Sequence, residues 1–188
     1  MKSTSASIPD LERRNGIRLE DDIAGRLSEL RRGGQVKDFY HQLMLRYFDQ
    51  DVNPDFVVEV PRSNGLEIDI IEAKDWGRSK ALTLHFNNVV DLVCQDERID
   101  ARNILNQVLR YDQGRLFDKT LRLFGRGMLI IVTTAPLYIT ENDQPRRETE
   151  ILRIPVTTRS TTRSMNGEMQ IGLVRSTIYV VSFAHFRD

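Results

Sequence analysis

Residues 54–74, PDFVVEVPRSNGLEIDIIEAK, decide how this chain is read. Asp55–Val60 (DFVVEV) and Leu66–Lys74 (LEIDIIEAK) are rich in valine and isoleucine, residues that favour strands, and the PRSNG between them is made of turn formers. Asn64-Gly65 is a strong short hairpin signal, because both central residues of a type I′ turn need positive φ. With that turn, Ser63 pairs with Leu66, Asp55 lies opposite Lys74 and Val57 opposite Glu72. Opposed residues share a face, as do residues two apart on one strand, so Asp55, Glu72 and Lys74 project from one side. A one-residue slip would turn Asp55 to the other side, and Pro61 leaves a wider loop as the alternative.

Two carboxylates and an ammonium on adjacent strands suit divalent-metal chemistry on a phosphodiester. Mg²⁺ is a hard ion that takes carboxylate oxygens and keeps several waters. Asp55 and Glu72 supply one oxygen each, and the Ala73 carbonyl between the site residues is the third. The metal polarises the phosphate and acidifies a water, while Lys74 orients that water and offsets charge at phosphorus. The alternative is a solvated hairpin with ordinary surface charges. Against it, the acids interrupt an apolar run, Ile68-Asp69-Ile70-Ile71-Glu72-Ala73, that reads as a buried central strand, and buried carboxylates need partners or a metal. Asp69 is a rival for the metal, but alternation faces it away from Glu72.

Pro54-Asp55, a gap of sixteen residues, then Glu72-Ala73-Lys74 resembles the PD-(D/E)XK nuclease superfamily, which includes many restriction endonucleases, junction resolvases and RecB-like exonucleases. The resemblance covers roughly residues 16–135. It implies an α/β (α+β) fold of restriction-endonuclease type, a mixed central β-sheet flanked by helices. It also implies Mg²⁺-dependent hydrolysis (Mn²⁺ may substitute) that leaves a 5′-phosphate, with DNA as partner. Asp55 matches the family's aspartate, Glu72 its second acid and Lys74 its lysine. Relatives often carry a supporting glutamate on the first helix. Glu20, in G-x-x-x-E, is the candidate and Glu29 the alternative; a first-turn acid favoured by the helix dipole explains Glu20 equally well. Gln107-x-x-x-Tyr111 resembles an element that follows the acid-x-lysine triplet in RecB-like nucleases, and a spacing of four puts both on one helix face, where with Arg115 they are expected to hold a DNA phosphate or nucleotide near the metal; a solvated amphipathic helix is the alternative.

Composition frames these expectations. At 188 residues, 40% hydrophobic and 29% charged, the chain suits one globular domain, expected over residues 16–188 behind a flexible tail at 1–15. The single cysteine, Cys94, excludes an intramolecular disulfide and a cysteine-held zinc or iron–sulfur centre. No apolar stretch reaches membrane-spanning length and the N-terminus lacks a signal-peptide apolar region, so a cytoplasmic or nucleoid-associated location, not secretion, is expected. Net charge is zero but unevenly spread: residues 51–100 hold 11 acids and 5 bases, and residues 101–188 hold 13 bases and 8 acids. An acidic centre suits a metal and a basic remainder suits phosphate.

Outside the hairpin, residues 17–32 read as a helix ended by Gly33-Gly34, and Val36–Phe48 as a second, with Phe39, Leu43 and Phe48 inward. DWGRSKA after Lys74 reads as a loop whose Trp76, Arg78 and Lys80 touch a sugar-phosphate backbone, or whose tryptophan merely covers the core. Residues 82–95 fit helix or strand. Residues 101–125 read as one long helix, kinked at Gly114, with Leu105, Leu109, Leu116 and Leu123 on one stripe and Gln107, Tyr111, Arg115, Lys119, Arg122 and Arg126 on another. Residues 127–134 read as a buried strand, and ILRIPVTT and residues 169–183 as strands joined by a loop, RSTTRSMNG, whose Arg159 and Arg163 suit phosphate contact. His41, His85 and His185 have no sequence neighbours that suggest a metal site or triad. A restriction-type endonuclease, commonly a homodimer, is the first expectation. The alternatives are a repair or recombination nuclease, alone or in a larger DNA-processing system, and a non-catalytic DNA-binding subunit with the same fold.

Overall fold

The central hairpin forms, two residues away from the expected register. The computed structural model describes residues 8–47, 50–77, 80–85, 90–94, 97–100, 102–117, 121–140, 147–163 and 169–188. In chain order these form α1 (Ile8–Arg32), β1 (Asp38–His41), β2 (Leu45–Tyr47), β3 (Gln50–Val52), β4 (Phe56–Arg62), β5 (Gly65–Lys74), β6 (Lys80–His85), β7 (Val90–Cys94) and β8 (Glu97–Asp100). Then come α2 (Arg102–Phe117), a 3₁₀ turn (Leu121–Leu123), β9 (Gly125–Thr133), β10 (Leu137–Thr140), β11 (Arg147–Thr149), β12 (Ile151–Arg163), β13 (Met169–Ser182) and α3 (Phe183–Arg187).

Arg62 pairs with Gly65 and Val57 with Ile70, so the turn is Ser63-Asn64 and Val57 does not face Glu72. Gln42 is the one non-glycine with positive φ among the described residues, so Asn64 does not supply the left-handed geometry that an Asn64-Gly65 type I′ turn needs. A slip of two residues preserves the face of every side chain. It moves Asp55, just ahead of the Phe56–Ile71 pair, to the level of Glu72 instead of Lys74.

The main sheet is six-stranded and mixed, in the order β1-β4-β5-β9-β13-β12. Strands β5, β9 and β13 run parallel, and β1, β4 and β12 complete it through antiparallel pairs. Alternation along the strands builds a core on each face. On one, Leu19, Ile23 and Leu27 of α1 pack on Phe56, Val58 and Ile71. On the other, Val108 and Leu109 of α2 pack with Val57, Ile68, Ile70, Leu129 and Ile131. Burying one such aliphatic side chain contributes about 1.5–3 kcal/mol. A second, five-stranded sheet, β11-β10-β6-β7-β8, adds Leu82 and Leu137 to the α2-side core, and β2 and β3 form a small hairpin.

Several expectations are corrected. α1 begins at Ile8, so residues 8–15 are helical and not tail; Pro9 sits in the first turn, where a missing N–H costs nothing, and a lone Gly16 does not break the helix. Residues 1–7 lie outside the described residues. The second helix over Val36–Phe48 is absent: β1 pairs along β4, Gln42 turns the chain at φ 53, and β2 follows. Edge pairing overrides a helical spacing that only three apolar residues carried. Residues 82–95 resolve as strand on both sides of a gap in the described residues.

α2 ends at Phe117, short of residue 125. Leu123 is 79% exposed instead of core, and Arg126 lies on β9 paired with Asp112, not on a helical stripe. Gly114 is a packing contact: a Cβ there would meet Val52 Cγ2 at 2.9 Å and Leu45 Cβ at 3.3 Å, so only glycine lets the β2–β3 hairpin come this close. Arg159 and Arg163 lie on β12 and not in a loop, because the threonine-rich run after Ile154 keeps pairing with β13 as far as Arg163–Met169.

Candidate functional site

One end of the main sheet collects the polar side chains. β5 delivers Glu72 and Lys74 near its C-terminal end, and β4 begins beside them, just after Asp55. β1 ends there too, where the Gln42 N–H donates to the Asp55 carbonyl at 2.8 Å. α2 lies over the same face and lowers Gln107 and Tyr111 toward Glu72.

Asp55 Oδ2 accepts the Ala73 N–H at 2.7 Å, which ties the acid to β5 where the β4–β5 ladder has run out. An extended residue points its N–H and C=O to the same edge, so the Ala73 carbonyl also faces the Asp55 side. Glu72 is 2% exposed. Its Oε1 accepts from Lys74 Nζ at 2.6 Å and from Gln107 Nε2 at 3.1 Å. The Tyr111 hydroxyl lies 2.5 Å from Gln107 Nε2 and also interacts with Glu72. Glu72 Oε2 is buried without a hydrogen-bond partner of acceptable geometry. An unpaired carboxylate oxygen out of water is costly, and a cation is the usual remedy.

The electrostatics agree. Burial pushes the Asp55 carboxyl up to about 7, and the Glu72 charge adds to the rise; the Ala73 N–H opposes it, Glu20 adds a little, and Lys74 lowers it. A positive charge placed between the two carboxylates would favour the ionised form of Asp55. Burial and the Glu72 charge also raise the Tyr111 hydroxyl far above its ordinary value, so it stays neutral.

The donor set fits a hard divalent ion: Asp55, Glu72 Oε2 and the Ala73 carbonyl are oxygens at one edge. Among the described residues no three His, Cys, Asp or Glu side chains cluster to hold a metal, so the fit rests on two carboxylates and a backbone oxygen. Mg²⁺, which binds through one or two carboxylates and keeps waters, is the ion suited to so sparse a set.

The remaining expected residues fall variously. Glu20 reaches this end of the sheet but turns to His41, with Glu20 Oε2 2.8 Å from His41 Nε2 and 3.5 Å from Gln42 Nε2. Glu29 lies exposed, paired with Arg26. Lys80 opens β6, half-buried. Tyr111 is buried and supports Gln107, which removes it from the surface. Trp76 packs on the α2-side core as a cover. Arg78 lies outside the described residues, as do the side chains of Arg115, Arg159 and Arg163.

His41 is the neighbour that sequence reading passed over. It stacks on Phe56 at 4.9 Å and meets Glu20 beside Asp55. Only the β1–β4 register shows this, since His41 pairs with Phe56 across the sheet. At the same end, a groove of about 910 Å³ is lined by Thr133, Thr134, Glu148, Glu150 and Phe183 among others, and Thr133 is the β9 partner of Lys74. Its two glutamates make it a poor seat for phosphate. Among the described residues no helix is long and apolar enough to cross a membrane. No protein-family model, curated protein or solved structure matches this chain.

Proposed function

We propose that this protein is a Mg²⁺-dependent DNA endonuclease of restriction type, built on a restriction-endonuclease-like variant of the mixed sheet. The observation that carries the reading is Glu72. It is buried and anchored through Oε1 by Lys74 and Gln107, its Oε2 has no hydrogen-bond partner, and its charge acts on Asp55. A bound Mg²⁺ would polarise the scissile phosphate and lower the pKa of a water. The chain's own residues do the rest. Asp55, held by the Ala73 N–H, and Glu72, held by Gln107, present oxygens in fixed positions. Lys74, 23% exposed at its side chain, has one side on Glu72 and the other toward solvent, where it can orient water and offset negative charge on phosphorus. Glu20 and His41 border Asp55 on the α1 side and support the site from outside it.

A second reading, a repair or recombination nuclease, draws on one contact. Gln107 and Tyr111 form a relay onto Glu72, in the pattern that resembles RecB-like enzymes. Supercoiled plasmid, linear duplex, single-stranded and branched DNA, incubated with Mg²⁺ or Mn²⁺, separate the possibilities. Metal-dependent cutting that Asp55→Ala and Lys74→Ala both abolish is expected. Discrete linear bands indicate the restriction type, and preference for ends or branches the second reading. Wild type that cuts none of these overturns both and leaves a DNA-binding subunit.

A further inference from the structure

The groove beside Lys74 opens where three parallel strands end. Lys74 of β5 pairs with Thr133 of β9, and Thr133 pairs with Ser182 of β13. The three therefore stand in one row across the carboxyl ends of the strands, roughly 10 Å long at about 4.8 Å per strand. Thr133 and Ser182 line the groove, and the crevice outside the carboxyl ends of parallel strands is where open sheets bind ligands. The β9–β10 connection and β11 close it from the other side, through Pro136, Leu137, Tyr138 and Glu148.

The hydroxyls of the groove are engaged in its own wall. Thr133 Oγ1 accepts the Ala135 N–H at 3.1 Å, and Ser182 Oγ accepts the His185 N–H at 3.3 Å. Thr134 Oγ1 accepts the Gly77 N–H at 2.9 Å and donates to Asp75 Oδ1 at 2.5 Å, which ties the wall to the segment just after Lys74. Glu148 and Glu150 stand exposed on the rim. Glu150 is placed by two contacts: its carbonyl accepts the Ser182 N–H at 2.8 Å, and its Oε2 lies 2.9 Å from His185 Nδ1. Tyr138 and Phe183, each half-buried, add aromatic surface. An ionised carboxylate only accepts hydrogen bonds. The groove thus suits a flat ligand with an apolar face and N–H groups on its edge, and it repels one that brings an anionic group inside.

We propose that the groove takes an unpaired nucleobase bearing an exocyclic amino group, from the strand whose phosphate lies at Lys74. Glu148 and Glu150 accept from the amino group, as carboxylates do from cytosine N4, and the aromatic side chains cover the base's face. Thymine has no such group: its ring N–H lies between two carbonyl oxygens that the glutamates repel. The choice of a nucleobase rests on the proposed function, but binding needs no cleavage. The test is titration of the protein with deoxyadenosine, deoxycytidine, thymidine and putrescine, followed by NMR of the backbone amides. None of these probes carries a phosphate, so neither Lys74 nor a metal is required. Wild type is compared with Glu148→Gln/Glu150→Gln, and circular dichroism checks that the variant is folded.

Deoxyadenosine and deoxycytidine are expected to shift the amides of Thr134, Thr149 and Ala184 saturably, with thymidine roughly 10-fold weaker. Glutamine both donates and accepts, so in the variant thymidine should come within about 2-fold of deoxycytidine. A purely structural role for the two glutamates would not move that preference. Equal binding of thymidine and deoxycytidine to wild type overturns the pocket, as does a preference that survives in the variant. So do shifts confined to other surfaces, or none with any nucleoside. Saturation by putrescine alone assigns the groove to an amine and overturns the base. Nucleoside selectivity in a protein that cuts no DNA sinks the nuclease reading alone. Metal-dependent cutting without nucleoside selectivity sinks the pocket alone.

Discussion

Strand β5 buries two carboxylates, Asp69 and Glu72, and they are held in opposite ways. Asp69 sits where β9 bulges: Ile68 pairs with Arg126 and Ile70 with Leu129, so β9 carries an extra residue at this point. The Met128 N–H that the bulge frees donates to Asp69 Oδ1 at 2.7 Å, and Arg62 Nη2 donates to Oδ2 at 3.2 Å. Both oxygens are partnered, so this acid closes a gap in the sheet. Glu72 is as deeply buried, but Lys74 and Gln107 both donate to one oxygen and the other has no hydrogen-bond partner. Burial alone does not separate structural from functional acids; what separates them is whether the protein completes the carboxylate's hydrogen bonding or leaves a place for something else.

The largest effect that could break this contrast is on cleavage. If the proposed function holds, Asp55→Ala or Lys74→Ala is expected to lower the Mg²⁺-dependent rate by a factor on the order of 10³, since Asp55 would hold the metal and Lys74 would offset charge on the reacting phosphate. Asp69→Asn is expected to leave the rate per folded molecule within a few-fold of wild type. Equal losses at Asp69 and Asp55, measured by single-turnover cleavage, would erase the distinction.

Stability should show the reverse order. A Cβ at Gly127 would lie 2.1 Å from Asp69 Oδ1 and 2.6 Å from the Ile68 carbonyl, backbone that cannot step aside. Gly127→Ala is therefore expected to cost about 1–3 kcal/mol in urea unfolding, by overpacking and by displacing the acid that satisfies the bulge. An unshifted midpoint would show that the bulge does not depend on Asp69.

Gln107→Ala sharpens the other side. Losing a group that orients a metal-binding carboxylate typically costs 10- to 100-fold in metal affinity. Calorimetric titration with Mg²⁺ should show a loss in that range, with Tyr111→Phe smaller because Gln107 and Lys74 still hold Glu72 Oε1. Unchanged affinity in Gln107→Ala would mean that Lys74 alone fixes Glu72.

A last expected effect is on pH. Asp55 titrates near 7 when folded against an ordinary 3.8, so between those values the metal-free folded state holds a proton that the unfolded chain has released. Stability contributed by that proton is present at low pH and is lost as pH rises from about 4 through about 7. The wild-type unfolding free energy without metal should fall across that window relative to Asp55→Asn, and adding Mg²⁺ should flatten the difference. Parallel profiles would mean that neither burial nor the Glu72 charge raises the Asp55 carboxyl in the folded protein.

Much of the central site was legible because period-two alternation needs no knowledge of register. Asp55, Glu72 and Lys74 share a face under the expected pairing and under the observed one, since the two differ by an even step. The helical spacing of four that linked Gln107 to Tyr111 was legible for the same kind of reason, and the structure brings both to Glu72. Residues 36–48 were misread because helical and extended spacing coincide over so few apolar residues, and that error hid His41. Asp69 could be set aside by alternation, but its partners came from Arg62 and from the bulge at Gly127–Met128, which no local pattern announces.

The sequence by itself determined the strand character of residues 56–74, the apolar face of α1 and the types of side chain gathered at the sheet's end, because period and residue chemistry are local properties. Only the tertiary structure decided which oxygen of Glu72 is left without a partner, that Asp55 is pinned by the Ala73 N–H, and that His41 stands beside Glu20. These depend on hydrogen bonds and registers between segments far apart in the chain, which are set when the whole sheet packs and each buried polar group finds, or fails to find, a partner.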